Sequence, residues 1–216
     1  MQNNVGKCLY ERQKPSYLNS ILNIIIVIFL GIFILELIFN SIYTNIYVKG
    51  SSMMPTLNGA PSIGEDSVLE GGDYIFVNTR AKPDYSDIVV VKTSNAQGET
   101  YDIIKRVVAL GGDTVKIVEG RLFIKYKGKT EFIEVEETYV LPEYNDSYNN
   151  YEEHLVEEDC MFLLGDNRNI SEDSRRKGDF HISSLVGVVP DWSLKYKSTI
   201  TSIYTFFEFK LGFARK

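Results

Sequence analysis

Residues 21–39 form an almost unbroken run of Ile, Leu, Phe and Val. A helix needs about 20 such residues to cross the hydrocarbon core of a bilayer, so this run constrains the chain more than any other feature. Asn23, Gly31 and Glu36 are the exceptions, and Glu36 lies close enough to one end to reach the headgroup region. The sequence therefore predicts a transmembrane anchor over residues 20–40.

A cleaved signal peptide is the alternative interpretation of this run. Its apolar region is usually about 7–15 residues long and precedes a small-x-small cleavage site, which residues 40–44 do not match. Lys7, Arg12 and Lys14 precede the run, whereas only Lys49 follows it closely. The positive-inside rule then predicts a single-pass protein of the cell membrane, with residues 1–19 in the cytoplasm and the rest extracytoplasmic.

Short β-rich runs separated by turn residues fill the chain after residue 72. The predicted strands are 73–77, 87–91, 101–108, 114–118, 121–126, 131–135, 161–164 and 186–189. No amphipathic helix of convincing length is predicted outside the anchor. The fold class is therefore mostly β, as coiled antiparallel sheets or a partly closed barrel with one N-terminal transmembrane helix.

The extracytoplasmic domain is expected to span residues 41–197. Within it, residues 142–159 are rich in Tyr, Asn and acidic side chains without an apolar period, and predict a long surface loop. Residues 198–216 form a C-terminal tail that is too short and too charged to predict a second span, and it lies on the domain or on the membrane surface. The net charge of −6 argues against a nucleic-acid partner, because binding phosphates normally needs clustered Lys and Arg.

The cysteines and histidines predict neither a disulfide nor a metal centre. Cys8 and Cys160 lie on opposite sides of the predicted anchor, which prevents them from pairing if the anchor spans a membrane. His154 and His181 lack metal-ligand spacing with each other or with a cysteine. No cofactor is therefore expected.

Three short motifs carry the residue types of nucleophilic catalysis. The first is Gly-Ser-Ser-Met-Met-Pro-Thr-Leu at residues 50–57, just beyond the anchor. A serine hydroxyl such as that of Ser52 becomes a good nucleophile only when a neighbouring base takes its proton. On its own this motif is more typical of a plain linker.

The second motif is the predicted strand around Lys105. Side chains alternate along a strand, so Lys105 shares a face with Ile103 and Val107, while Arg106 points the other way. Burial among aliphatic side chains disfavours the charged ammonium, and a neutral lysine amine can act as a general base. An ordinary strand lysine, with its stem along the sheet and its head in water, is the competing interpretation.

The third motif is the polar stretch 165–175, which directly follows the apolar run 161–164. Asp173 and Arg175 are close enough in sequence to form an ion pair, and such a cluster can brace an active-site loop. An ordinary Asn/Asp/Ser-rich turn is the alternative.

Taken together and in this order, the three motifs resemble the boxes of the bacterial type I signal peptidases. Ser52 through Leu57 is similar to that family's nucleophile box, and Lys105-Arg106-Val107 with the later Gly-Gly-Asp at 111–113 to its lysine box. The stretch 165–175 matches its Gly-Asp-Asn-Arg…Ser-x-Asp-Ser-Arg box, and Gly-Asp at 72–73 is a weaker further match. With its single predicted anchor, the chain resembles the Gram-positive branch.

The resemblance implies a serine endopeptidase that cleaves signal peptides from exported preproteins after small-x-small sites. Ser52 would be the nucleophile and Lys105 the general base. The backbone N–H of Ser52, beside Gly50, would supply the oxyanion hole. Implied supporting residues are Ser171, Asp173 and Arg175, and implied substrate-binding residues are Met53, Ile103 and Ile104. Implied partners are preproteins, membrane lipid and the protein-export machinery.

The chain departs from the family pattern at two positions. Many members carry a serine two residues before the nucleophile, whereas this chain has Gly50, as Gram-positive members commonly do. A glycine usually precedes the aspartate at position 87, and here that residue is Ser86.

Three other interpretations compete with a signal peptidase. A self-cleaving repressor-like protease shares the Ser–Lys dyad, but the predicted anchor argues against it. A signal-peptidase-like assembly factor without catalysis tends to lack the serine or the lysine, and this chain has both. The last is an anchored β domain in which all three motifs are ordinary loops.

Overall fold

The computed structural model describes residues 17–59, 71–146 and 148–211, and it divides the chain into two compact units at residues 41 and 42. The basic residues Lys7, Arg12 and Lys14, together with Cys8, lie outside the described residues. The first unit contains helix α1, Tyr17–Ile42, none of whose residues is buried. Its 26 residues span about 39 Å and have a mean hydropathy of 3.0 over their most apolar stretch, so among the described residues this one helix is long and apolar enough to cross a membrane.

The larger sheet of the second unit has seven strands in the order β1-β2-β11-β3-β4-β9-β10. Its strands, in chain order, are β1 Tyr43–Tyr47, β2 Tyr74–Asn78, β3 Ile88–Ser94, β4 Thr100–Leu110, β9 Cys160–Leu164, β10 Phe180–His181 and β11 Leu185–Val188. Strand β9 and the first four residues of β3 are apolar and buried on both faces, which explains why these runs do not alternate.

The smaller sheet has four strands in the order β7-β6-β5-β8. They are β5 Thr114–Val118, β6 Arg121–Lys125, β7 Ile133–Glu134 and β8 Tyr151–Leu155. Every strand pair in both sheets is antiparallel, and neither sheet closes into a barrel in the part of the chain that the structure describes. The prediction of a mostly β protein built from antiparallel sheets is therefore confirmed.

Residues 142–159 are more ordered than their composition predicted. After a short 3-10 turn at Pro142–Tyr144, strand β8 pairs with β5 through His154 opposite Val115. The ring of Tyr151 packs against Phe162, with 5.4 Å between ring centroids. Because β8 is an edge strand with two exposed acidic residues, its sequence lacks the apolar alternation that would have revealed it.

The expectation of no substantial helix beyond the anchor is wrong. Helices α2 (Ser174–Lys177) and α3 (Asp191–Lys195) are short, but α4 covers Lys197–Leu211. Its Thr, Ile, Tyr and Phe residues are weak helix formers, so the helix depends on packing against β2 rather than on propensity. Ile200 is buried, and Tyr204 stacks on Tyr74 with 4.8 Å between ring centroids.

Three apolar clusters make up the core formed by the described residues. One fills the space between the smaller sheet and β9, and another surrounds Val107 and Met161 in the larger sheet. The third lies beneath the loop that follows β1, where Met53 and Leu57 pack against Ile75 and Val90. This third cluster fixes the height of the loop that carries Ser52.

Ser86 occupies the left-handed region of backbone space, with a φ of 67°. This is the position where the resembling family usually has glycine, and a non-glycine residue there is strained by roughly 1 kcal/mol. Its backbone is held in place because Ser86 N donates to the carbonyl of Val107 at 2.8 Å, and its own carbonyl accepts from Arg106 at 2.8 Å.

Ser86→Gly is expected to raise the free energy of unfolding by up to about 1 kcal/mol, because glycine adopts a positive φ without steric cost. Ser94→Gly, the same change at an exposed position in β3, is the matched control and should lower stability by about 0.5–1 kcal/mol. Urea unfolding of the full-length protein in detergent measures both. Destabilisation by both substitutions would contradict the assignment of strain to Ser86.

Candidate active site

The loop at residues 50–58 presents Ser52 from a turn that begins at Gly50, whose φ is +75°. Met54 N donates to the carbonyl of Ser51, and Leu57 N donates to the carbonyl of Met53, which closes the turn on itself. Met53 and Leu57 are buried in the cluster below. The loop is therefore anchored by these two apolar side chains, while Ser52, directly before Met53, stays partly exposed.

Lys105 approaches Ser52 from strand β4. Its Nζ lies 2.8 Å from Oγ of Ser52 and donates to the carbonyl of Ile104 at 2.8 Å. The residue is only 4% exposed. A hydroxyl and an amine at this distance share one proton along a hydrogen bond, which is the geometry a general base requires.

The polar stretch 165–175 follows β9 and lies against both groups. Asn167 binds the loop at residues 50–58, called the serine loop below, twice: its N–H donates to the carbonyl of Ser52 at 3.0 Å and its side-chain amide to that of Ser51 at 3.2 Å. Asp173 is fully buried, accepts from Gly165 N at 3.0 Å and pairs with Arg175 Nε at 2.8 Å. The stretch thus holds the serine loop against β4.

Arg106, the next residue of β4, lies on the face of the strand opposite Lys105. Its guanidinium binds both oxygens of Asp166, at 2.8 and 2.7 Å, and lies 3.8 Å from the centroid of the Tyr139 ring. Asp166 also accepts a hydrogen bond from the hydroxyl of Thr56. Thr56 and Tyr139 were not singled out in the sequence, because their partners lie 110 and 33 residues away and no local pattern marks such contacts.

A cleft of about 570 Å³ opens at Ser52 and Lys105. Its walls come from residues 46–50 and 52–53, from residues 101–105 of β4, and from Val90 of β3. Met53, Ile103 and Ile104, the three residues that the resemblance implied for substrate binding, all line it. Among the described residues, no group of three or more His, Cys, Asp or Glu side chains is arranged to hold a metal ion.

Comparison with known proteins identifies the family to which the chain belongs. The model of the family described as "Signal peptidase, peptidase S26" matches residues 20–192, which is most of the chain. The chain belongs to this family. The resemblance read from the three motifs is therefore confirmed at the level of the family.

Curated relatives are similar over about two thirds of the chain. A probable thylakoidal processing peptidase 2 of Arabidopsis thaliana is 32% identical over 65% of this chain and 35% of its own length. Thylakoidal processing peptidase 1 of the same plant is 35% identical over 65% of this chain and 38% of its own length. This chain therefore spans little more than a third of these plant relatives.

Two further relatives are named signal peptidase I. The one from Bacillus caldolyticus is 29% identical over 66% of this chain and 74% of its own length. The crystal structure of one from Enterococcus faecalis is similar at 25% identity with a TM-score of 0.40, covering 51% of this chain and 98% of that chain.

In this member of the signal peptidase family, burial lowers the pKa of Lys105 from 10.5 to about 8, while the carboxylates of Asp173 and Asp166 oppose the shift. At pH 7 a lysine with that pKa is neutral in about one molecule in ten, compared with about one in three thousand for an unperturbed lysine. Ile103 and Val107, on the face of β4 shared with Lys105, belong to one apolar cluster and contribute to the desolvation. The fold itself therefore prepares the amine to accept a proton.

Gly165 is required by space rather than by backbone conformation. A Cβ at this position would lie 2.2 Å from Oγ of Ser171 and 2.5 Å from the carbonyl oxygen of Ser52. Ser171 is 2% exposed, and its hydroxyl forms no hydrogen bond with any described residue. The Ser171 hydroxyl, which the resemblance implied as a supporting group, therefore lies beside the loop that carries Ser52 without a fixed partner, and its role stays a prediction.

Lys105→Met is expected to raise the free energy of unfolding at pH 7 by about 1–3 kcal/mol, because it removes the cost of burying an ammonium group. The folded-state pKa of about 8 lies below the unfolded value of 10.5, so this cost is fully present below pH 8 and disappears as pH rises toward 10.5. The stability gain of the variant should shrink over the same range. Urea unfolding of wild type and variant at pH 7 and pH 9.5 measures it.

Lys92→Met, at an exposed position of β3, is the control for this stability test and should change stability by less than about 0.5 kcal/mol at either pH. A Lys105→Met variant that is less stable than wild type at pH 7 would contradict the desolvation argument.

Proposed function

We propose that this chain is a membrane-anchored serine endopeptidase that removes signal peptides from exported preproteins with a Ser52–Lys105 dyad. The observation that carries the proposal is the 2.8 Å separation between Lys105 Nζ and Ser52 Oγ, two residues that line the cleft, with the lysine almost fully buried. Membership of the signal peptidase family and the names of its relatives support the substrate class.

Acylation begins when Ser52 Oγ attacks the carbonyl carbon of the scissile peptide bond. Its proton passes to the neutral amine of Lys105, and the carbonyl oxygen becomes an oxyanion. Within the described chain the backbone N–H of Ser52 makes no hydrogen bond, so it is available as an oxyanion donor, a contribution of about 2.7–4 kcal/mol per donor in other serine hydrolases. The intermediate collapses as the Lys105 ammonium returns the proton to the leaving amine.

Deacylation repeats the same proton transfers with water in place of serine. Lys105, neutral again, takes a proton from a water molecule that attacks the ester carbon of the acyl-enzyme. Collapse of this second intermediate returns the proton to Ser52 Oγ and releases the signal peptide with a new carboxyl terminus. One lysine therefore serves both half-reactions, and no histidine is needed.

Substrate selection is assigned to the apolar wall of the cleft formed by Met53, Ile103 and Ile104. Met53 is buried and the two isoleucines are half-buried, which leaves shallow apolar surface suited to small side chains such as alanine. Asp173 and Arg175 have a supporting role, since their ion pair closes the turn that carries Asn167 against the serine loop.

The Ser52 assignment is tested by cleavage of a model preprotein by full-length protein in detergent. Ser52→Ala and Lys105→Arg should each reduce kcat at least about a thousandfold, because the first lacks the nucleophile and the second replaces the base with a guanidinium that stays protonated. Ser51→Ala, which removes the adjacent hydroxyl, is the matched control and should retain most activity.

Substantial cleavage by Lys105→Arg would contradict the dyad, because it would make the lysine a fixed charge rather than a base. Activity that survives in Ser52→Ala but not in Ser51→Ala would show that Ser51, and not Ser52, is the nucleophile. An intact preprotein with every variant and with wild type would favour a non-catalytic assembly factor. Cleavage of the chain itself but not of the preprotein would favour a self-cleaving protease.

The membrane location rests on α1, an apolar helix with no buried residue, and on the basic residues that precede it. We expect the catalytic domain to lie outside the cell membrane, so protease added to intact cells stripped of their wall should digest it. A cytoplasmic marker protein in the same cells is the control and should remain intact. Protection of the domain until the cells are lysed would reverse the proposed orientation.

A further inference from the structure

The segment after residue 192 lies beyond the match to the family model, yet it contacts the serine loop at Thr56. It comprises the end of α3 and the first two turns of α4. Three kinds of contact fix it against β2 and against the loop: hydrogen bonds to the strand edge, ring stacking, and one lysine.

Hydroxyl groups of this segment accept hydrogen bonds from backbone N–H groups of β2. In the part of the sheet that the structure describes, β11 pairs with β2 at Asn78, close to the end of the strand. Phe76 N donates to Oγ of Ser193 at 2.7 Å, and Tyr74 N donates to Oγ1 of Thr201 at 2.8 Å. Ser193 is fully buried, so these bonds set the position of the helices along the strand.

Lys197 lies between Ser193 and Thr201, and its side chain reaches the serine loop. Its Nζ donates to the backbone carbonyl of Thr56 at 2.7 Å and to Oδ2 of Asp73 at 3.0 Å. The same Asp73 oxygen accepts from Asn58 N at 2.8 Å, and the backbone of Asp73 bonds to Asn58 and Val48. Lys197 and Asp73 together therefore hold the end of the loop that follows Ser52.

Thr56 is thereby held from two sides. Its hydroxyl donates to Asp166, which is paired with Arg106 beside Lys105 on β4, while its carbonyl accepts from Lys197. Because Thr56 is four residues from Ser52 in a tight turn, a shift at Thr56 moves the serine relative to the lysine on β4. We propose that Lys197 is a positioning residue that keeps Ser52 Oγ within hydrogen-bond distance of Lys105 Nζ, so that the C-terminal helix controls turnover.

The proposal rests on the proposed function and separates turnover from substrate binding. Lys197 is not among the residues that line the cleft, so its loss should leave the substrate's contacts in place. Its effect should fall on the reacting geometry, where misplacement by about 1 Å can reduce the rate on the order of a hundredfold.

The test compares Lys197→Met with Lys195→Met in the full-length protein in detergent. Both changes remove one positive charge by the same substitution, but Lys195 is exposed and bonds to no loop residue. Cleavage of a model preprotein gives kcat and KM, the rate–pH profile gives the apparent pKa of the base, and thermal unfolding gives the folded fraction. Lys197→Gln replaces Lys197→Met if the latter does not fold, with the same expected loss.

For Lys197→Met we expect kcat to fall on the order of 10–100-fold, with KM and the acidic limb of the rate–pH profile unchanged. Lys195→Met should match wild type. A kcat within about twofold of wild type, a change in KM alone, or a loss proportional to the unfolded fraction would overturn the proposal. These outcomes leave wild-type cleavage intact, whereas failure of wild type to cleave, or cleavage by Ser52→Ala, would remove the proposed function itself.

Discussion

A lysine amine buried beside a serine hydroxyl is the interaction on which the rest of the site depends. Burial lowers the pKa of Lys105 to about 8 and thereby raises the neutral fraction of the amine. The same burial costs stability, so the surrounding sheets must supply enough apolar contact to tolerate it. The buried residues 88–91 of β3 and the fully buried strand β9, on either side of β4, provide that contact.

The polar groups around this lysine are compatible with burial because nearly all of them have partners. Asp166 is shared between Arg106 and Thr56, and Asp173 between Gly165 and Arg175. Asp166 therefore links two other chain segments, and Asp173 closes the stretch 165–175 on itself. Neither carboxylate remains an isolated buried charge, which would be costly. The network couples the serine loop, β4 and the turn after β9 into one unit.

The parts of the structure that could be predicted are those marked by a short sequence pattern, whereas the others depend on contacts between distant residues. Ser52, Lys105 and the turn at 165–175 were identified because each sits in a short motif, and β3 and β9 because their apolar runs are continuous. Lys197 was not identified, since its partners are a backbone carbonyl and a carboxylate 124 residues away. Strand β8 and helix α4 were missed because their form depends on packing against β5 and β2 rather than on their own composition.

Gly165 has a consequence for how this site can change over time. Its backbone is outside the left-handed region, so what excludes a side chain is the room taken by Ser171 and by the carbonyl of Ser52. A smaller residue at position 171 removes only the first obstruction. The second belongs to the main chain, which no substitution can shorten, so no single compensating mutation elsewhere opens this position. Substitution of Gly165 by any other residue is thus prevented as long as the serine loop keeps its present path.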